Sequence, residues 1–248
     1  MSQAQTETTV VLPQWNIAHI ITRLELGGAQ QATLSQVQAL ATAERPVYLL
    51  YGPGEQLDAA LANMPHVRGL PIPALGRQVR PLSDGAAVWQ VRRALQHIQV
   101  QAPQRPLLVH THSSKAGIVG RIAAAMVDAA CVVHSIHGFG HQPSMPRWQR
   151  GPLWAAELMA SYLTDGFTAD SAANLKRGRQ EGLLRRHPTA VVHCGIDIDR
   201  YQAPSADALA ALRQELQLTP TQPVVLKIAC LKPQKDPTAF VAVAELCN

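Results

Sequence analysis

A chain of 248 residues, 47% apolar but only 4% aromatic, has enough apolar side chain for a packed core, so disorder is expected only at its ends. A formal charge of +5 favours anionic partners without choosing among nucleotides, lipid head groups and nucleic acid. No apolar run reaches the about 18 residues of a membrane span, Met1 to Glu7 lacks the layout of a signal peptide, and Cys131, Cys194, Cys230 and Cys247 are too scattered for a disulfide framework or zinc site, so a reduced, cytoplasmic protein is expected.

In chain order, apolar β-type runs fall at 17–21, 46–50, 107–109, 132–136, 166–168, 191–192 and 224–228. Segments of helical period separate most of them: Leu34, Val37 and Ala41 fall at i, i+3 and i+7, and Ile118, Ile122 and Met126 at i, i+4 and i+8. Strands alternating with helices predict an α/β fold with a parallel, doubly wound sheet. Past Asp197 to Tyr201 the pattern changes. Pro204 and Ser205 open a polar, alanine-rich helix running to Leu216, and the stretch from Thr219 to Pro223 introduces a new apolar strand. We therefore expect a first domain over 14–200 and, over 201–248, a linker with an incomplete second α/β unit, too short to fold alone.

The first loop signal is Gly27-Gly28-Ala29-Gln30, after one strand and at the start of a helix. Its amides can approach a phosphate, or the glycines can simply serve a tight turn. Neither G-x-G-x-x-G nor a Walker motif is present. The stretch Leu107 to Arg121 carries the strongest signal: an apolar run ends in His110-Thr111-His112-Ser113-Ser114-Lys115 and passes at once into a small-residue helix. Such junctions are where open α/β sheets bind ligands. His112, Ser113 and Lys115 can surround an anion. Alternatively Ser113 or Ser114 caps the helix, Lys115 is solvated, and Gly117 and Gly120 permit close packing.

His110 and His112 share one strand face and, with His134, His137, His141 and Asp170, open the alternative of a metal-dependent hydrolase, although no carboxylate sits at short ligand spacing. His137 ends the next strand beside Gly138 and can reach a ligand in the cleft, or be a satisfied loop histidine. The segment from Arg147 to Tyr162, with Trp148, Trp154 and Met159, suits either an anionic membrane surface or a core stripe. The cluster Lys176, Arg177, Arg179, Arg185 and Arg186 suits phosphate or a solvated helix face.

Taken in order, Gly27-Gly28-Ala29-Gln30, the His110 to Gly117 stretch, His134-Ser135-Ile136-His137-Gly138, Cys194-Gly195-Ile196-Asp197 and Leu231-Lys232-Pro233-Gln234-Lys235-Asp236 resemble the family-four retaining glycosyltransferases of the GT-B fold. The resemblance covers residues 17–248. It implies a Rossmann-like N-terminal acceptor domain with helices on both faces of a parallel sheet, and the start of a donor domain. It further implies metal-independent transfer, with no cofactor, from a nucleotide-sugar to a glycan or lipid-linked acceptor in polysaccharide or lipopolysaccharide biosynthesis. Peripheral contact with the inner face of an anionic membrane would accompany it, and nucleic acid would not be a partner.

By the same likeness His137 would contact the donor sugar, and Lys235 would neutralise the diphosphate leaving group, a task for a cation because negative charge develops there. Gly27, Gly28, Gln30, His112, Ser113, Lys115, Gly138, Gly195 and Asp197 would line the donor or acceptor sites. The chain departs from the family at Cys230, where an arginine is usual, at Cys194, where asparagine is usual, and in lacking the acidic Glu-x7-Glu motif. A chain without that motif is expected to transfer sugar slowly or not at all. A non-catalytic acceptor- or nucleotide-binding module is the alternative.

Overall fold

The computed structural model describes residues 14–195, 198, 202–219, 221–229 and 235–246. Most of the apolar runs become strands: β1 (Asn16–Arg23), β2 (Val47–Gly52), β3 (Val67–Pro71), β4 (Leu107–His112), β5 (Cys131–Ile136), β6 (Gly166–Ala169) and β7 (Thr189–Val191). They form one seven-stranded sheet in the order β3-β2-β1-β4-β5-β6-β7, with every neighbouring pair parallel. Between them lie α1 (Gly28–Leu40), a 3-10 helix at Asp58–Asn63, α2 (Pro81–Gln101), α3 (Ser114–Ala125), α4 (Arg147–Ser161) and α5 (Ala172–Gln180). This is the expected Rossmann-like α/β arrangement, with helices on both faces.

Strand alternation divides the core between those faces. Ile17 and Ile21 of β1 join Val47 and Leu49 of β2 under Leu34 and Val37 of α1. Ala18 and Ile20 point the other way, onto Val91, Leu95 and Ile98 of α2 and Ala116, Val119 and Ala123 of α3. Farther along that second face, Ile136, Phe167 and Ala169 pack against Leu175 of α5. A parallel strand buried on both sides must be apolar on both, which is why the runs in β1 and β2 are nearly unbroken.

The helix α3 forms where the period of Ile118, Ile122 and Met126 predicts one, but that stripe does not set its buried face. Ile122 and Met126 are 38% and 45% exposed, and the buried positions are the small ones, Ala116, Gly117, Gly120, Ala123 and Ala124, with Val119 and Arg121. Small residues win the inner face because the backbone lies so close to the strands. A Cβ on Gly120 would come within 2.7 Å of Thr111 Cγ2, and one on Gly117 within 2.5 Å of the His134 ring. The close-packing reading of both glycines is the one the structure supports.

Arg121, 1% exposed, turns inward to bond Glu157 of α4 at 2.7 Å and the Gly117 carbonyl at 2.8 Å, pinning α3 to α4 through a desolvated pair. In the apolar stripe of the Arg147 to Tyr162 segment, Leu158 packs on the core beside Ile136 and Phe167, whereas Trp148, Met159 and Tyr162 are 74%, 72% and 62% exposed.

The chain divides after Gly195 into two compact units. In the second, the described residues include α6 (Ala206–Glu215), started by Ser205 accepting from the Ala208 amide at 3.2 Å, and α7 (Pro237–Leu246). The expected strand at 224–228 is absent among the described residues, and Val224, Val225, Leu226 and Ile228 are 56–89% exposed. An apolar run becomes a strand only when another strand pairs with its backbone, and none does there.

Candidate functional site

Every loop singled out in the first unit leaves the carboxyl edge of the sheet. The strand order reverses between β1 and β4, so the loops after these two strands diverge and leave a crevice, the usual ligand position in open α/β sheets. On its β1 side, Gly27 is the N-cap of α1 and has no side chain to cap it, leaving the first-turn amides and the positive end of the helix facing out. Gln30 folds back over it: a Gly27 Cβ would lie 2.7 Å from Gln30 Oε1.

On the β4 side, Ser113 adopts φ 64° and ψ 156°, a region that favours glycine. Its hydroxyl makes no helix cap and lies 2.8 Å from Thr22 Oγ1, tying β4 to the end of β1, while Thr22 Oγ1 also accepts from the Ala116 amide at 3.3 Å. Ser114 is not a cap either; its hydroxyl accepts from the Gly140 amide at 2.8 Å and ties α3 to the loop after β5. Lys115 is neither solvated nor free for an anion. It pairs with Asp84 of α2 at 2.6 Å and donates to the Gln78 carbonyl, so its charge is already matched.

Beneath these loops one sheet face carries a row of histidines. His19 of β1 sits opposite His110 of β4 in register, and His112 follows two residues on, so all three rings share a face. His19 Nδ1 lies 2.8 Å from His112 Nε2, and His112 Nδ1 lies 3.2 Å from His137 Nε2 just past β5. His110 branches off through Ser135 Oγ at 2.7 Å to Thr168 Oγ1, 2.6 Å farther. At the outer end, His137 Nδ1 is 3.9 Å from Asp170 Oδ2, and Asp170 is held by Asn174 Nδ2 at 2.8 Å. Gly138, at φ 142°, supplies the backbone turn that glycine favours.

Burial holds all these rings below the usual histidine range. It takes His110 down to about 4, and His19, His112 and, more mildly, His137 also fall, each first by desolvation; the neighbouring imidazoles push His19 and His112 further, while Asp170 pulls His137 partly back. The rings are neutral at pH 7.

The nitrogens of His19, His110 and His112 lie within 4.8 Å of one another, close enough to invite a metal. The donor set fits one poorly. Both nitrogens of His112 are spent on His19 and His137, which leaves that ring no lone pair to offer a metal. His134 lies on the opposite face, where it bonds Thr111 Oγ1 at 2.9 Å, and His141 bonds Glu181 at 2.6 Å, so neither joins the row. Of the basic cluster, Arg177 bonds Glu181 and the His141 carbonyl, and Arg185 stacks on Tyr162.

The structure thus brings Gly27, Gly28, Gln30, His112, Ser113, His137 and Gly138 to one edge, and Lys115 near it but paired. Gly195 is exposed, Asp197 lies outside the described residues, and Lys235 belongs to the second unit, where it is exposed and its carbonyl accepts from Lys227 Nζ at 2.6 Å. Sequence reasoning missed His19 and the pairing role of Asp170. A histidine inside the apolar run 17–21 was the available signal for the first. A shallow depression beside Gln96, Leu107 and Asp128 opens at the opposite, amino edge of the sheet.

The profile of Glycosyltransferase Family 4 matches residues 26–200, well over half of the chain, and spans every loop of this edge. The chain belongs to glycosyltransferase family 4. Among curated relatives of this family-4 chain is the Escherichia coli UDP-Gal:alpha-D-GlcNAc-diphosphoundecaprenol alpha-1,3-galactosyltransferase, 25% identical over 229 residues, which cover 92% of the chain and 57% of the relative. Among solved structures, Anabaena HepE in complex with UDP and glucose superposes with a TM-score of 0.70 at 20% identity, over 94% of the chain and 58% of HepE. HepE with UDP-glucose gives a TM-score of 0.58 at 21% identity over 82% and 50%. These likenesses show the shared fold. The family-4 chain spans somewhat over half the length of the E. coli relative and of HepE with UDP and glucose.

Proposed function

We propose that this family-4 chain takes part in transferring a sugar from a UDP-sugar donor to a glycan or lipid-linked acceptor, with retention of anomeric configuration and without a metal, in the building of a polysaccharide or lipopolysaccharide. The observation that carries the proposal is the polar carboxyl edge at the β1/β4 switch point, in a chain that the family profile matches throughout that edge. The uncapped amino end of α1 suits an anionic diphosphate. His137 and its partner Asp170 suit the hydroxyls of a sugar. Lys235 suits the leaving diphosphate, where an ammonium offsets the charge that grows as the glycosidic bond breaks.

Contact with an anionic membrane, at its cytoplasmic face, is part of the same reading. Its support is the outer side of α4, where Trp148, Met159 and Tyr162 are exposed and Arg185 stacks on Tyr162, an aromatic and cationic combination that suits a lipid interface. Among the described residues no helix is long and apolar enough to cross a membrane.

The test is product formation. Incubated with UDP-galactose or UDP-glucose and GlcNAc-diphosphoundecaprenol as acceptor, the protein is expected to yield, slowly, a lipid-linked disaccharide whose new bond is α by NMR. A β product would refute retention. Binding of donor or acceptor without any product would favour the non-catalytic module instead.

A further inference from the structure

The row His19, His112, His137 has a polarity, and the residues at its two ends decide it. A neutral imidazole carries one N–H and one lone pair, so three rings bonded in series must align head to tail. In one alignment every Nδ1 carries the proton: His19 donates to His112 Nε2, His112 donates to His137 Nε2, and His137 turns an N–H toward the Asp170 carboxylate. The atom left over is the lone pair of His19 Nε2, which has no partner among the described residues. In the reverse alignment every Nε2 carries the proton. His19 then buries an N–H with no acceptor, and His137 presents a lone pair to a carboxylate 3.9 Å away. Orphaned buried N–H groups are the rarer defect, and a lone pair facing an anion is repelled, so both ends favour the first alignment.

Resting on the donor-binding reading above, we propose that Asp170 sets this polarity and holds His137 as the Nδ1–H tautomer, so that donor and carboxylate acceptor together select a hydroxyl group of the transferred sugar. The spacing fits that use. At 3.9 Å His137 Nδ1 and Asp170 Oδ2 are too far apart to bond each other, and Nδ1 has no other partner among the described residues. One oxygen that accepts from the first and donates to the second completes both. His137 is then a hydrogen-bond donor to substrate and not a base, because its only lone pair is spent on His112. Asp170, by acting through His137, is a positioning residue as well as a sugar contact. His19 and His112 are positioning residues only.

Long-range proton–nitrogen spectra of the histidine-labelled, ligand-free protein read each tautomer directly. The expected result is Nδ1–H at His19, His112 and His137. An Nε2–H tautomer at His137 overturns the proposal. Asp170→Asn places a carboxamide that can donate where the carboxylate accepted, and it is expected to reverse all three rings together to Nε2–H. Rings that stay as they were assign the polarity to something other than Asp170 and overturn its role.

Asp170 is 29% exposed, so the substitution leaves the core intact, and unchanged amide spectra away from β5 and β6 verify this; should the variant not fold, the wild-type tautomers still decide. UDP-glucose is the probe for the sugar contact. It is expected to shift His137 Nδ1 in the wild type and not in Asp170→Asn. A response at other residues of the edge with none at His137 refutes the hydroxyl contact. No response anywhere removes that contact together with the donor-binding reading on which it rests, while the tautomers stand or fall on the ligand-free spectra.

Discussion

The neutral histidines tie the stability of the fold to pH. His19, His110, His112, His134 and His137 all titrate below their unfolded value of about 6.5, because burial disfavours the charged ring. Below that value the unfolded chain binds protons that the folded chain refuses. Their contribution is therefore fully present above pH 6.5 and is lost as pH falls, at about 1.4 kcal/mol per pH unit for each ring, until the folded value is reached, near 4 for His110. Denaturant unfolding at pH 7.5 and pH 5 should show a loss of several kcal/mol, and a flat profile would mean that the rings are hydrated. At this scale His112, Ser113 and His137 were legible because they stand at the polar end of an apolar run. His19 and Asp170 were not, since what gives them meaning is a neighbour on another strand, 93 residues away for the His19–His112 bond.

Among the elements, the strands buried on both faces announced themselves as apolar runs, and the edge strand β3 did not. The edge strand β3 carries Arg68, Gly69 and Pro71 in five residues, so no apolar run marks it, and Pro is tolerated because an edge has unpaired backbone. The converse failure is 224–228, apolar enough to read as a strand and left without a partner among the described residues. In α3 the large residues mark the helical period but not the buried face, because the close approach to the strands requires small side chains. Gly120 gives the test. With Thr111 Cγ2 at 2.7 Å and Ile20 Cδ1 at 3.0 Å from an added Cβ, Gly120→Ala should cost about 1–3 kcal/mol despite the better helix propensity of alanine. Thermal unfolding measures it; a gain in stability would mean that α3 stands farther from the sheet than described here.

For the molecule as a whole, topology does what no single motif can. The all-parallel sheet gathers loops from residues 27, 113, 137 and 170 onto one edge, and the reversal of strand order between β1 and β4 opens a crevice there, which a linear sequence shows only as separate polar turns. Their order along the chain carried the family resemblance, while the geometry that makes them one site came from the sheet. The measurement that tests this account most directly is a map of backbone amide shifts on adding UDP-galactose and a lipid-diphosphate-linked acceptor. The account predicts shifts concentrated at Gly27 to Gln30, Ser113 to Lys115, His137 to Gly140 and Asp170 to Ser171. Shifts centred instead on the amino-edge depression at Gln96, Leu107 and Asp128, or none at all, would contradict it.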